Sequence, residues 1–296
     1  MSTSDLAAIR SFLYVPGDRS DMVAKSTNRD ADAVIIDLED GVGAAAKEKA
    51  RDIVASWLVE QQQSPTALWV RINSHPEIAH LDLDAVVQPA LAGIYVPKVS
   101  ATADIESVAN KLDDLEASNG VAAGTVQIAP LLETAAGVLA AADIAASRRV
   151  SHLAIGEVDL AADLGMRPSP DGRELDPIRL SLVVASAAAK INPPIGPVAT
   201  RFRDLESLRA TSRQLRQMGY GGRAAIHPDQ IPIINEAFSP TPEELAAARD
   251  IVHRFDAAQQ AGDAITLSED GSLIDEAVVR LARLTLSHRS PTTTKE

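Results

Sequence analysis

Eight short apolar runs follow one another along the chain, separated by stretches with helical periodicity. Strand–helix units in series form right-handed crossovers, which place the strands parallel in one sheet. Eight such units predict closure into a (β/α)8 barrel. An open, doubly wound sheet is the alternative, but no GxGxxG follows the first run to support it. The predicted strands are Ser11–Pro16, Ala33–Glu39, Ala67–Asn73, Gly93–Val99, Val126–Glu133, His152–Asp159, Pro194–Ala199 and Ala224–Pro228.

The last quarter of the chain has a different pattern. Thr241 precedes Pro and two Glu residues, which is typical of a helix start, and the predicted helix runs to about Gln260. A loop over Gly262–Gly271 and a final helix over Ile274–Leu286 follow, and the polar tail from Ser287 is expected to fray. We therefore predict a barrel domain over residues 1–238 and a C-terminal helical extension over residues 239–296.

Composition agrees with a barrel and excludes several function classes. The 296 residues are 46% hydrophobic, enough for a large core, and only 3% aromatic, which argues against a surface that stacks bases. A formal net charge of −13 opposes binding to nucleic acid or to an anionic membrane through bulk charge. The chain has no cysteine, no apolar run of membrane-spanning length and no signal-peptide pattern, so we expect a cytoplasmic protein.

Polar side chains gather where the predicted strands end. Barrel enzymes place their active sites at the C-terminal ends of the strands, so these side chains are expected at one mouth. Strands also end at the surface, and any one of the polar residues can be there for that reason alone. The set comprises Asp37, Glu39, Asp40, Arg71, Asn73, Lys98, Glu133, Asp159 and His227.

Glu133 and Asp159 are the candidate metal ligands. Neighbouring strands five and six would deliver both carboxylates to one mouth, and Mg2+ prefers one or two carboxylates completed by waters and substrate oxygens. Without cysteine, and with scattered histidines, a zinc site is not expected. The alternative for Glu133 is a first-turn acid of the helix that begins near Thr134.

Three further cations are candidates for binding anions. Arg71 can hold a carboxylate in a fork or stabilise an oxyanion, and it can also form an ion pair with Asp37 or Glu39. Arg19 and Lys25 lie at the first strand–helix turn and in the helix after it, where they could hold a phosphate. On the sequence alone, a solvated helix face is the favoured explanation for Arg19 and Lys25.

Several motifs, in order along the chain, resemble the β subunit of citrate lyase and its stand-alone relatives in the HpcH/HpaI aldolase superfamily, including malyl-CoA and citramalyl-CoA lyases. The resemblance covers the chain from about Arg10 to Leu286. The motifs are SFLYVPGDR at 11–19, IDLED at 36–40, VRIN at 70–73, PLLET at 130–134, GEVDL at 156–160, GPV at 196–198, AIHP at 225–228 and LID at 273–275.

The resemblance implies a Mg2+-dependent barrel, with Mn2+ as a possible substitute, that assembles as a homotrimer or a multiple of it. It implies a 3-hydroxyacyl thioester of CoA or of an acyl carrier as substrate, cleaved to an acyl thioester and a 2-oxo acid. The resemblance places Glu133 and Asp159 on the metal ligands, Arg71 on the active-site arginine and Asp37 and Glu39 on the acidic motif that supports the metal shell. We therefore expect Asp37 to be catalytic together with Arg71, and Glu39 to help bind the substrate. Arg19 and Lys25 fall near the CoA phosphates.

The same resemblance places Asp275 on an acid that enters a neighbouring subunit's active site in the malyl-CoA lyase branch. Cleavage needs a base for the hydroxyl proton and an acid for the enolate carbon, and Asp275 is the candidate for the carbon–proton step.

Alternatives are a citryl-thioester lyase β subunit acting on an acyl-carrier-protein thioester and a non-catalytic barrel that binds CoA thioesters. A CoA-independent aldolase would use a histidine near strand two, and none occurs there. Leu273, Ala277, Gly41 and the loop after Asn73 depart from the usual motifs, which leaves substrate size and the CoA contacts open.

Overall fold

Eight parallel strands close into a barrel in the computed structural model, which describes residues 8–169 and 171–287. The predicted barrel is therefore confirmed, and the open sheet is excluded. Each strand pairs with its neighbours in chain order, and β8 closes onto β1. The strands are β1 Ser11–Pro16, β2 Ala33–Asp37, β3 Ala67–Arg71, β4 Gly93–Val96, β5 Gln127–Leu132, β6 Ala154–Ile155, β7 Ile195–Gly196 and β8 Gly222–Ala225.

Helices connect the strands and cover the barrel. All five residues of β2 are buried, as expected for a parallel strand that is covered on both faces. No helix within the described ranges has the length and apolarity that a membrane crossing requires. The helices of this part of the chain are α1 Ser20–Lys25, α2 Lys47–Glu60, α3 Pro76–Val86, α4 Thr102–Asn119, α5 Ala135–Leu139, α6 Ala141–Ala145, α7 Glu157–Asp163, α8 Asp176–Ala189, α9 Leu205–Met218 and α10 Ile231–Phe238.

The predicted sixth strand is wrong in its second half. It was expected to reach Asp159, but β6 ends at Ile155 and α7 begins at Glu157, after Gly156. Asp159 therefore lies in the first turn of a helix, not at the end of a strand. A run that alternates apolar and acidic residues over so few positions fits either structure, and acids in a first turn are favoured by the helix dipole.

An aromatic cluster fills the barrel interior beneath the C-terminal mouth. It consists of Phe12, Trp69, Tyr95 and His152, whose ring centroids lie 5.1–6.4 Å apart. The Tyr95 hydroxyl lies 2.9 Å from Nε2 of His152, and the Ser151 hydroxyl lies 3.0 Å from its Nδ1. Both ring nitrogens are therefore satisfied inside the barrel, and burial lowers the pKa of His152 to about 3.

A second compact unit begins at Ala237, whereas the first ends at Glu236. It contains two helices, α11 Pro242–Ala261 and α12 Glu276–Ser287, and a small antiparallel pair of strands, β9 Thr266–Leu267 and β10 Leu273–Ile274. Its core packs Phe255 against Ile274 and Val279.

The sequence predictions for this second unit are partly confirmed. Thr241 caps α11 as predicted, because its hydroxyl accepts the backbone N–H of Glu244. The segment Gly262–Gly271 is not wholly a loop, since it contains β9. The last helix begins two residues later than predicted because Ile274 belongs to β10. The tail from residue 288 lies outside the described residues.

Candidate active site

A cavity of about 340 Å3 opens where the barrel strands end. Asp37, Arg71, Glu133 and Asp159 all line it, so four predicted site residues share one cavity. The sheet register explains part of this, because Asp37 at the end of β2 is paired with Arg71 at the end of β3. The mouth predicted from the strand ends is therefore a real cavity, and charged side chains form one of its sides.

Arg71 is fixed by a two-point contact with Asp37. Its Nε and Nη2 donate to the two carboxylate oxygens of Asp37 at 2.7 and 2.6 Å, and Asp37 also accepts the backbone N–H groups of Glu39 and Gly41. The guanidinium carbon lies 5.1 Å from the ring centroid of Tyr14. Burial alone would lower the pKa of Arg71, but hydrogen bonding to Asp37 and the negative charges of Asp37 and Glu39 together outweigh it and raise that pKa. Arg71 is thus a rigid, permanently charged group at the cavity wall.

Glu39 lies behind Arg71 and is not among the residues that line the cavity. Its Oε1 accepts a hydrogen bond from Lys98 Nζ at 2.9 Å. Its buried Oε2 lies 3.2 Å from Nη1 of Arg71, but the geometry is not that of a hydrogen bond, so this oxygen contributes only charge. Burial raises the pKa of Glu39, and the positive charges of Arg71 and Lys98 oppose that shift.

Glu133 is a buried carboxylate that faces the cavity without a cation partner among the described residues. Its Oε1 accepts the backbone N–H of Lys98 at 2.8 Å, and a methyl group on Gly156 would collide with its Oε2. Burial raises the pKa of Glu133 to about 7, and the negative charges of Glu39 and Asp159 add to this shift. The alternative role as a first-turn acid does not apply, because Thr134 is the N-cap of α5 and Glu133 precedes it.

Asp159 lies in the first turn of α7, exposed, at the same cavity. It forms no ion pair with any residue in the described part of the chain. Glu157, two residues before it, also lines the cavity, but Arg179 binds both of its oxygens at 2.6 and 2.8 Å. Glu133 and Asp159 therefore carry the uncompensated negative charge of the cavity wall.

This donor set fits Mg2+. Two carboxylates without cation partners among the described residues face the same space, and the negative charge of Asp159 contributes to raising the pKa of Glu133. No group of three or more His, Asp or Glu side chains in residues 8–169 and 171–287 is arranged to hold a metal, so a closed structural site is absent there. Mg2+ needs only one or two carboxylates because it keeps waters and takes substrate oxygens.

Three other predicted residues of the barrel are not among those that line the cavity, namely Arg19, Lys25 and His227. Arg19 and Lys25 are exposed at the two ends of α1, and Arg19 lies 3.8 Å from Asp21. The His227 Nδ1 accepts the backbone N–H of Asp229, so His227 caps the turn after β8. In the second unit Asp275 precedes α12, and its Oδ1 accepts two N–H groups of the first turn.

The sequence reasoning missed three features of the site. Tyr14 supports Arg71, and its position two residues after Phe12 on β1 gave a signal, because alternate residues share a face. The clamp of Arg179 on Glu157 joins residues 22 positions apart, for which the sequence offers no spacing rule. The third is an aliphatic wall on the side of β5 to β8, formed by Leu131, Ala154, Ile155, Ile195, Pro197, Val198, Ala224 and Ile226.

Comparison with known proteins identifies the family. The HpcH/HpaI aldolase/citrate lyase model matches residues 10–228, which is the whole barrel apart from its last helix. The chain belongs to the HpcH/HpaI aldolase/citrate lyase family. The site motifs of this HpcH/HpaI family barrel all fall inside the matched range, whereas Asp275 falls outside it.

Two curated relatives of the family match the chain over almost its full length. A (3S)-malyl-CoA thioesterase of Cereibacter sphaeroides is 35% identical over 279 residues, covering 94% of this chain and 93% of the relative. The citrate lyase subunit beta of Escherichia coli is 30% identical, covering 94% and 92%.

A solved structure of the family agrees with the fold. Protein CitE from Mycobacterium tuberculosis, in complex with magnesium, acetoacetate and coenzyme A, superposes with a TM-score of 0.75 at 28% identity. The match covers 95% of this chain and 98% of that one. The chain is accordingly an enzyme of a family of carbon–carbon lyases that act on CoA esters, some of which are thioesterases.

Proposed function

We propose that this enzyme cleaves a 3-hydroxyacyl-CoA, such as citramalyl-CoA or malyl-CoA, into an acyl-CoA and a 2-oxo acid, or forms it in reverse. The observation that carries the proposal is the meeting, at one cavity, of a fixed arginine with two uncompensated carboxylates, Glu133 and Asp159. The relative whose structure holds magnesium, acetoacetate and coenzyme A supports both the cation and the thioester.

Glu133 and Asp159 would hold Mg2+ or, as a substitute, Mn2+. When bound, the cation supplies Lewis-acid stabilisation for oxygen atoms that gain negative charge during the reaction. Arg71 adds positive potential at the same place and binds the carboxylate of the substrate, using N–H groups on Nη1 and Nη2 that Asp37 does not occupy. Asp37 positions Arg71, because both of its oxygens already accept hydrogen bonds.

The bond that breaks joins the hydroxyl-bearing carbon to the carbon next to the thioester. The hydroxyl proton leaves, that carbon becomes a carbonyl, and the electron pair stays on the thioester part as an enolate that then takes a proton. Among the described cavity-lining residues, Asp37 and Glu157 are held by arginines, and burial raises the pKa of both Tyr14 and Tyr95 far above neutrality. These described residues thus include no free proton carrier beyond the two proposed ligands, which is why we keep Asp275 as the proposed acid.

Arg19 and Lys25 are our proposal for the CoA phosphates. Both are exposed cations on α1, the helix that follows β1 at the mouth of the barrel. Glu39 is proposed to act on the substrate only indirectly, through the charges of Arg71 and Lys98 that it holds in place.

Mass spectrometry of a panel of 3-hydroxyacyl-CoA thioesters, incubated with Mg2+, Mn2+ or EDTA, tests this function. We expect an acyl-CoA and a 2-oxo acid with either cation and neither product with EDTA. Glu133→Gln and Asp159→Asn should each lower turnover by at least about 100-fold. The matched control is Glu106→Gln, an exposed acid on α4 that does not line the cavity. Metal-independent cleavage would contradict the assignment.

Hydrolysis of a malyl-CoA thioester is the second candidate, because a relative at 35% identity is a (3S)-malyl-CoA thioesterase. The same assay separates the two reactions. A lyase releases an acyl-CoA and a 2-oxo acid, whereas a hydrolase releases the free hydroxy acid and the CoA thiol.

A further inference from the structure

We infer that the substrate carries one free carboxylate and a short apolar group on the carbon that becomes the carbonyl. The released 2-oxo acid is then a monocarboxylate of the pyruvate type and not a dicarboxylate of the oxaloacetate type. This inference rests on the proposed lyase function and specifies its substrate. Two independent features of the cavity carry it, namely its charge balance and the chemistry of the wall opposite Arg71.

In the charged groups around the cavity, the acids outnumber the cations. Arg71 and Lys98 are shared among Asp37, Glu39 and Asp40, and Lys98 is held by hydrogen bonding to Glu39. Arg179 is shared between Glu157 and Asp176. These groups leave no surplus positive charge for a ligand.

Glu133 and Asp159 remain, and their two negative charges match one divalent cation. A cation-loaded cavity therefore has no surplus positive charge before the substrate enters. The first carboxylate of the substrate finds a cation and the free N–H groups of Arg71. Among the described residues that line the cavity, Arg71 is the sole cation, so a second carboxylate has no second cation to pair with there. A charge enters an apolar environment at high cost unless it is paired.

The wall formed by the strands across the barrel from Asp37 and Arg71 is aliphatic, and Glu133 and Asp159 follow two of these strands. Leu131, Ala154, Ile195 and Ala224 lie on neighbouring strands β5 to β8, and three of them belong to the buried cluster of the barrel interior. Ile226 continues this wall toward the mouth and is 42% exposed. A methyl group can pack against these side chains, whereas a carboxymethyl group would lose its hydration against them without a hydrogen-bond donor.

The aliphatic wall also explains where selectivity resides. Malyl-CoA, citramalyl-CoA and citryl-CoA share a thioester, a hydroxyl and one carboxylate, and they differ only in the third group on the hydroxyl carbon. That group is hydrogen in malyl-CoA, methyl in citramalyl-CoA and carboxymethyl in citryl-CoA. Arg71 and the cation bind the groups that all three substrates share, so selectivity depends on how the third group packs against the side chains of β5 to β8.

Kinetics with the three CoA thioesters test the inference. We expect kcat/KM for the methyl and hydrogen substrates, citramalyl-CoA and malyl-CoA, to exceed that for citryl-CoA by at least about 100-fold. A parallel calorimetric titration of the Mg2+-loaded enzyme should show pyruvate binding more tightly than oxaloacetate. This second measurement needs no turnover, so it tests the cavity even if the reaction has been misassigned.

A substitution that supplies the missing cation sharpens the test. Ile226→Lys places an ammonium group on the aliphatic wall at a partly exposed position that should tolerate it. We expect kcat/KM for citryl-CoA and affinity for oxaloacetate to rise at least about tenfold, while the preference for the methyl substrate falls. Leu139→Lys is the matched control, because Leu139 is 89% exposed on α5 and does not line the cavity.

The outcomes separate the inference from the proposed function. If kcat/KM for citryl-CoA equals that for citramalyl-CoA and malyl-CoA, or if oxaloacetate binds as tightly as pyruvate, the inference is wrong and the lyase function stands. If no thioester is cleaved but pyruvate still binds more tightly than oxaloacetate, the selectivity of the cavity holds and the lyase assignment fails.

Discussion

At the scale of single residues, Arg71 shows how one side chain can have two roles. The sequence left open whether it binds a ligand or forms an ion pair with Asp37 or Glu39. The structure shows the ion pair with Asp37 and, at the same time, a place on the cavity wall. The pairing holds the planar guanidinium in one orientation, so the directions of its remaining N–H groups are also fixed.

Replacement of Arg71 by lysine tests whether activity needs this fixed guanidinium. Arg71→Lys keeps the charge but removes the two-point contact with Asp37, so we expect kcat/KM to fall by at least about 100-fold while the protein stays folded. Steady-state kinetics and thermal melting measure the two effects.

Arg10→Lys is a matched control for this substitution. Arg10 contacts both carboxylate oxygens of Asp32 in the same two-point manner, and its side chain is 16% exposed, against 14% for Arg71. It lies at the opposite end of the barrel, before β1, so its substitution should leave turnover intact. Near-normal activity of Arg71→Lys would show that Arg71 serves only the ion pair.

At the scale of elements, the strands and their order were predictable, but several ends were not. Period and spacing in the sequence suffice to find β1 exactly as the structure has it, and to find the other strands within a few residues. Strand ends depend on where backbone hydrogen bonding stops, which is a tertiary property. The early end of β6 shows this, because Asp159 reaches the cavity from the first turn of α7 and not from a strand.

Contacts between distant elements could not be predicted from the sequence, because they too depend on tertiary structure. The hydrogen bond of Glu133 with the Lys98 backbone, and the clamp of Arg179 on Glu157, join elements that meet only after the barrel has closed. The sequence did predict the residue types at the mouth, because strand ends share one face of any parallel barrel.

Because His152 is buried in the interior aromatic cluster, we predict that the free energy of unfolding depends on pH. Burial lowers the pKa of His152 to about 3, whereas the unfolded chain titrates near 6.5. Below about pH 6.5 the unfolded state gains a proton that the native state does not bind, so stability falls as pH falls. The contribution of His152 to the free energy of unfolding is complete above pH 6.5 and decreases by about 1.4 kcal/mol per pH unit toward pH 3.

Urea unfolding of the wild type and of His152→Gln at pH 7.5 and 5.5 measures this effect. The stability advantage of the wild type over the variant should shrink by about 1.4 kcal/mol between the two pH values. His80→Gln is the control, because His80 is exposed on α3. A wild-type advantage that does not change with pH would mean that His152 already titrates normally in the native protein.

At the scale of the whole molecule, the chain contains a barrel and a second unit that follows it. The barrel provides binding groups and lacks a free proton carrier on the described cavity wall, whereas the second unit carries Asp275. In its own chain Asp275 caps α12 through Oδ1 alone. We predict that Asp275 completes the active site of a neighbouring subunit in a homotrimer or a multiple of it.

A subunit-mixing experiment measures this contribution. Arg71→Ala and Asp275→Ala proteins should each be inactive, and their mixture should regain activity once subunits exchange, because some sites then contain both intact residues. Native mass spectrometry establishes that mixed assemblies form. If they form and activity stays absent, Asp275 acts within its own chain or has no part in the reaction.

The unpaired acids Glu133 and Asp159 also set an order of arrival. An anionic thioester that reaches the mouth first meets the negative charge of Asp159, the partial negative charge of Glu133 and a guanidinium already shared with Asp37. A divalent cation that arrives first removes this repulsion and leaves the same mouth attractive to the carboxylate. Catalysis should therefore begin with the cation, and the concentration of free Mg2+ in the cell would govern how much of the enzyme is ready to accept its substrate.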